Sequence, residues 1–257
     1  MIYLASVLVG LSFGSFANVC IYRLPQNKSI SHPHSYCPAC HTPLRWQDNI
    51  PLFSFLVLRG RCHHCHKPIS WQYPLVEAAM ALLFLISTWR FPYAYFQILI
   101  CDILAFYLLT LSVIDARHKI IPDEFSVSLL AIGLLLSWHN PWLQGHALHP
   151  ALESALAAIT GGLLMILFAW VGERIFKKEA MGGGDIKLMA AFGALLGWGG
   201  LIGPLLIGST LGALFGGTLL LLKRKKMGET IPFGPFLSVG AYLTCLFPAW
   251  WSFFLSP

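Results

Sequence analysis

Long apolar runs alternate with short polar breaks along most of this chain. The apolar runs fall at roughly 2–22, 73–90, 93–114, 124–138, 152–172, 186–200, 202–222 and 233–255. A helix that crosses a bilayer needs about 20 mostly apolar residues. The runs are continuous rather than alternating, which argues against a β-barrel. The pattern therefore predicts an all-α polytopic membrane protein of about eight transmembrane helices. The 186–222 stretch is the least regular. It reads as two short helices turning near Gly199, Gly200 and Gly203, or as a broken hairpin. The first run has no basic n-region and no clear cleavage site, so Met1 to Cys20 reads as a membrane helix rather than a secretory signal.

Composition supports this pattern. Of 257 residues, 56% are hydrophobic and 11% charged, whereas a soluble domain carries roughly 25% charged residues. Charge then orients the chain. Arg23, Lys28, Arg45, Arg59, Arg61 and Lys67 lie between runs one and two. Arg117, Lys119, Arg174, Lys177, Lys178, Lys187 and the "KRKK" at 223–226 fall on the same side of an eight-span arrangement; Arg90 falls on the other. The positive-inside rule makes the basic side cytoplasmic. The net charge of +6 thus reflects topology and contact with anionic membrane lipid, and does not point to nucleic acid.

The break at residues 23–72 is the one sizeable polar segment, and about fifty residues make only a small core. Segments of this size usually need a staple. "CPAC" (Cys37, Cys40) and "CHHC" (Cys62, Cys65) supply one, with 21 residues between the two pairs. That spacing suits a four-thiolate structural zinc site. A reducing cytoplasmic setting disfavours disulfides. His41, His63, His64 and His66 crowd the pairs and are alternative ligands. The chain so divides into a first helix (1–22), a tetracysteine insert (23–72) and a membrane domain (73–257).

Acids are scarce, eleven in all, so each can be weighed. Glu124, Glu153, Glu173, Glu179 and Glu229 read as solvated groups at span ends or in loops. Asp102 lies in the middle of a run, where the bland reading is a helix–helix hydrogen bond. Asp115 ends the third run, and Asp185 opens the sixth behind Gly182, Gly183 and Gly184. Ionisable groups in or beside spans tend to mark function. Asp115 and Asp185 fall at the same membrane depth. Two carboxylates brought together share a proton, because like charges at short range cannot both ionise. One can then take a proton from water while the other donates one to a scissile carbonyl. The helix-end dipoles favour Asp185 as base and Asp115 as acid. The glycines leave a side-chain-free wall for an extended substrate strand. The bland alternative is a flexible loop, with Asp185 capping a helix.

In order along the chain, "GSFANVCIYRLP", "CPAC", "DNIPLFSFLVLRGRCHHC", "YPLVE", "IDARHKIIPD", "GGGDIKLMAAFGALLGW" and "IPFGPFL" resemble the motifs of the type IV prepilin peptidases, which are GxGD aspartyl proteases. The resemblance covers nearly the whole chain. It implies a bacterial inner-membrane enzyme that removes the short basic leader of prepilins or pseudopilins at the cytoplasmic face, after a glycine. It implies catalysis by Asp115 and Asp185. The tetracysteine insert accompanies the members that also N-methylate the new N-terminus with S-adenosylmethionine. No nucleotide-binding fingerprint for that donor is visible; Glu77 and the insert are candidates. Asp123 matches a family aspartate and reads as structural. Gln72 departs from the pattern, standing where the family often has a basic residue. Competing readings are a proton-coupled transporter using Asp102, Asp115 and Asp185, and a non-catalytic pilus assembly factor. The first leaves the thiolates unexplained.

Overall fold

The computed structural model describes residues 1–144, 148–177, 181–224 and 231–248. Among them the regular structure is helical: α1 (Ile2–Arg23), α2 (Phe53–Val57), α3 (Gln72–Arg90), α4 (Tyr95–His118), α5 (Asp123–Leu136), α6 (Pro150–Phe176), α7 (Gly183–Leu196), α8 (Gly199–Leu221) and α9 (Gly234–Leu246). No strand forms among these residues; two isolated bridges lie in the 23–72 insert.

Five helices are long and apolar enough to cross a membrane: α1, α3, α4, α6 and α8. This is an integral membrane protein. The other three runs form helices below the length of a full span. α5 and α7 have 14 residues each and α9 has 13, and 14 residues rise only about 21 Å. For α5 and α7 the fourth and sixth runs are already about this short. Gly197, at φ +62° and ψ −149°, stops α7 in a conformation that side chains resist. α8 starts two residues later, so the turn sits just ahead of the expected glycines. The eighth run extends past residue 248, outside the described residues.

The chain forms two compact units, with the division at Thr110 and Leu111 inside α4. In the first unit, α1 packs against α3. Gly10 and Gly14 make the contact possible. A Cβ on Gly10 would lie 2.7 Å from Ala81 Cα, and one on Gly14 would lie 2.6 Å from Glu77 Cα. This is the small-residue spacing that lets membrane helices approach backbone to backbone. Asn18, buried one turn further along, donates to the Tyr73 carbonyl at 3.1 Å and accepts from Gln72 Nε2 at 3.3 Å. Gln72 thus has a defined partner in place of the basic residue that the family pattern suggests.

In the second unit α7 lies among α5, α6 and α8, and α8 packs on α9. Leu188, Met189 and every residue from Ala191 to Leu196 are buried. A short helix enclosed by protein need not match the lipid thickness. Gly133 of α5 meets the Ala194 backbone, and Gly193 of α7 meets the Ala157 carbonyl of α6. Glu153, read above as solvated, is fully buried. Its carboxylate occupies the space left by Gly197, where a Cβ would come within 2.9 Å of Oε1.

Gly14→Leu has no room to relax, since the obstructing atom is backbone. Overpacking of this kind costs about 1–3 kcal/mol. Thermal unfolding of the detergent-purified protein should therefore begin at a lower temperature in Gly14→Leu than in the wild type. An unchanged transition would contradict the glycine-mediated α1–α3 contact.

Candidate active site

Asp115 stands three residues before the end of α4 and is 6% exposed. A buried carboxylate needs donors. Its Oδ2 accepts from the Gly234 backbone N–H at 2.9 Å. Only glycine suits that partner position, because a Cβ on Gly234 would sit 2.8 Å from the same oxygen. Pro235 follows in the first turn of α9 and helps to start that helix.

Asp185 lies in the first turn of α7. Gly182 caps the helix with extended backbone and accepts from the Asp185 N–H at 3.2 Å. Asp185 Oδ1 is buried with no hydrogen-bond partner, and the side chain lies within electrostatic range of Asp115. The two acids expected to act together are thus neighbours within one unit.

The residues between them along the fold are fixed by the "IIPD" turn. A Cβ on Gly184 would fall 2.7 Å from Ile121 Cβ, so this glycine is small because Ile121 packs on it. Asp123, at the start of α5, pairs with Lys187 of α7 at 2.6 Å. Both side chains are exposed, so the pair adds little stability, but it ties the same turn to the same helix. Gly182 and Gly183 are exposed, and a Cβ on Gly183 would meet nothing within 4 Å. Of the three glycines, 182 and 183 therefore offer open backbone, whereas 184 is a packing residue. Asp102 reaches the Ser87 hydroxyl of α3 and leaves Oδ1 buried without a partner.

In the insert, the Sγ atoms of Cys37, Cys40, Cys62 and Cys65 all lie within 4.8 Å of one another. Cys37 and Cys65 are 3.9 Å apart, close to the sulfur–sulfur spacing of roughly 3.8 Å that Zn–S bonds of about 2.3 Å give in a tetrahedron. The two halves are one motif written twice. "CPACHTPLRW" and "CHHCHKPISW" share Cys, Cys, His, Pro and Trp at matching places. Cys37 N–H donates to Thr42 at 3.0 Å and Cys62 N–H to Lys67 at 2.9 Å. His41 and His66 take left-handed φ values of 56° and 55°, so they form the knuckle turns. Two isolated bridges, Tyr36–Pro43 and Arg61–Pro68, complete the likeness. The repeat was legible in the sequence as this pattern, with the pairs displaced by 25 residues.

The hydrogen bonds around the thiols act on them unequally. A hydrogen bond to the Thr42 side chain pulls Cys40 down to about 6. The backbone N–H groups of Cys65 and His64 lower Cys62. The Lys67 N–H lowers Cys65 as well, but burial and the neighbouring thiols outweigh it and push that group up to about 11. Four thiolates this close repel one another until a metal ion neutralises them. The four cysteines can hold a metal ion, and they fill its coordination.

Fold and site define a helical membrane protein with two neighbouring acids, one buried and one half-buried, and a four-thiolate insert. Residues 8–91 match the model of the bacterial peptidase A24 N-terminal domain, and residues 103–217 match that of the type IV leader peptidase family. The chain is similar to proteins named prepilin leader peptidase/N-methyltransferase. That of Xanthomonas campestris is 36% identical over 262 residues, covering 93% of this chain and 89% of its own. That of Pseudomonas aeruginosa is 34% identical over 267 residues, covering 95% and 89%. That of Legionella pneumophila is 35% identical over 268 residues, covering 94% and 90%. The chain belongs to this type IV leader peptidase family. No solved structure matches it.

The purified protein should carry about one bound metal ion per four-thiolate site. Elemental analysis of Cys37→Ser and Cys62→Ser should show that ion lost, together with faster proteolysis within 23–72. Full metal content in both variants would contradict the four-thiolate assignment.

Proposed function

We infer that this chain removes the leader of type IV prepilins and N-methylates the residue so exposed. The alternative of a proton-coupled transporter is not favoured, and neither is that of a non-catalytic assembly factor. The observation that carries the mechanism is that buried Asp115 and half-buried Asp185 lie within electrostatic range of each other, with one oxygen of Asp115 held by Gly234.

In this reading the two carboxyls share one proton. Gly234 N–H occupies Asp115 Oδ2, so Asp115 Oδ1 carries the proton destined for the scissile carbonyl. Asp185 Oδ1, which has no protein partner, takes a proton from the attacking water. The water oxygen bonds to the carbonyl carbon, and the tetrahedral intermediate collapses with cleavage of the C–N bond as the leaving amine accepts the proton that Asp185 took from water. Asp185 at a helix start and Asp115 near a helix end suit these roles, although a coupled pair titrates as a unit. Gly182 and Gly183 offer backbone against which an extended leader strand lies, with Gly184 closing the wall on Ile121.

The wider arrangement follows the charge pattern. The three short helices α5, α7 and α9 complete an eight-span topology beside the five long ones. The basic loops face the cytoplasm, with the acid pair at that rim of a bacterial inner membrane. The divisions are then a first span (1–22), a zinc insert (23–72) and a protease domain (73–257). The substrate's apolar helix enters among the spans while its basic leader stays at the surface; pseudopilins of type II secretion fit the same description. Zinc is the metal that four thiolates select, and here it is structural. Methyl transfer uses S-adenosylmethionine, which supplies an electrophilic methyl group when bound. Glu77, one candidate, already accepts from the Leu52 N–H at 2.8 Å. The described residues do not define a site for the donor, and no step is derived through it.

Asp115→Asn and Asp185→Asn should each slow cleavage of a prepilin peptide by roughly 10²–10⁴-fold, the contribution of a positioned acid or base. Gly234→Ala should lose activity with them while its metal content is unchanged. Near-normal cleavage by either asparagine variant would sink the acid pair.

A further inference from the structure

The 23–72 insert turns an apolar face outward where a water-soluble module would show polar groups. The five residues of α2 are "FSFLV". Ser54 is turned inward, where its hydroxyl donates to the Gln47 carbonyl at 2.7 Å and accepts from the Ile50 N–H at 3.0 Å. Phe55 packs on Trp71 with ring centroids 5.0 Å apart and covers Gly60. With those residues engaged, Phe53, Leu56 and Val57 are 59%, 73% and 62% exposed. The doubled knuckle motif ends each time in tryptophan, and both copies point outward: Trp46 is 76% exposed and Trp71 is 69% exposed.

Two observations say what covers this face. The first is continuity with the spans. The insert is tethered at both ends to membrane helices, α1 at Arg23 and α3 at Gln72. Trp71 directly precedes α3, and Leu75, one turn on, is exposed like Leu82 and Trp89 on the same stripe. The apolar face of the insert is therefore continuous along the chain with the exposed apolar stripe of α3. The second is charge. Arg45 directly precedes Trp46 and Arg59 follows α2 by two residues; both are exposed, as are Arg61 and Lys67, and Asp48 is the one acid between residues 23 and 72. Exposed tryptophan, short aliphatic stretches and a basic rim are the composition of elements that lie in a bilayer interface and contact anionic lipid.

We propose that α2, Trp46 and Trp71 form an interfacial anchor that seats the four-thiolate module in the leaflet from which α1 and α3 emerge, its basic rim contacting anionic headgroups. The anchor goes beyond the peptidase reading and does not depend on it. Docked this way, the module is held at a fixed depth at both ends and in its middle.

The test uses the full chain in vesicles whose phospholipid is brominated on the acyl chain near the headgroup. The difference between wild type and Trp46→Phe isolates the emission of Trp46. That component should be blue-shifted and should lose roughly half its intensity in mixed anionic and zwitterionic vesicles, as an interfacial residue does. Water-like, unquenched emission would overturn the anchor. Quenching equally strong in purely zwitterionic vesicles would overturn the role of anionic lipid. Emission that becomes blue-shifted only when a prepilin is added would make this face a substrate surface and overturn the proposal. Metal content verifies the fold of the variant. If Trp46→Phe lacks metal, hydrogen exchange of residues 50–57 in wild type serves instead: slower exchange in vesicles than in detergent supports the anchor, and equal rates overturn it.

Discussion

A carboxylate buried in a helical membrane protein must find a donor, and Asp115 finds one in a backbone amide 119 residues away. The bond to Gly234 depends on the absence of a side chain at that position. It fixes the start of α9 against the end of α4 and settles which oxygen of Asp115 is free. Asp185 stands near this group in the first turn of α7, with a backbone hydrogen bond to Gly182 but with its buried Oδ1 unpartnered. One acid oxygen is thus held by a rigid amide while an oxygen of the other acid is left unsatisfied, which is the basis of the proposal that water or substrate completes the site. Such local dissatisfaction costs stability and tends to mark function.

Glycine is how the rest of the membrane domain accommodates this arrangement. In each unit, helices approach to backbone contact where a glycine meets a backbone atom or a small side chain: Gly10 and Gly14 against α3, Gly133 and Gly193 around α7, Gly240 against Pro204. Lipid gives helices no hydrophobic drive to associate, so close packing supplies the attraction. The insert is stabilised by other means. Too small for a core, it relies on two copies of one cysteine knuckle and on Arg23. That guanidinium is buried at 4% exposure and donates to the Ser29 and Pro33 carbonyls.

The sequence made some of this plain and left the rest hidden, for physical reasons. The long spans are legible because hydrocarbon thickness sets a minimum apolar length. The four cysteines are legible because metal ligands have local spacing. The reason α7 stops short of a full span is not, since a helix enclosed by protein is freed from that thickness and its end is set by a single residue, Gly197. The role of Gly234 in "IPFGPFL" is not legible either, because it exists only across a long-range contact with Asp115. Glu153 misled for the same reason: its burial depends on the space beside Gly197. Gly182 to Gly184 looked uniform in sequence, yet Ile121 separates the third from the other two.

The central claim is that Asp115 and Asp185 act on one bound atom. It is tested most directly by a structure of the full chain in a lipid bilayer with a prepilin-derived peptide whose scissile carbonyl is replaced by a hydroxyl-bearing carbon. The account predicts that hydroxyl within about 3 Å of a carboxyl oxygen from each aspartate, with Gly234 N–H still on Asp115. A peptide bound elsewhere, or one that reaches a single aspartate while the other is screened by protein, would contradict it.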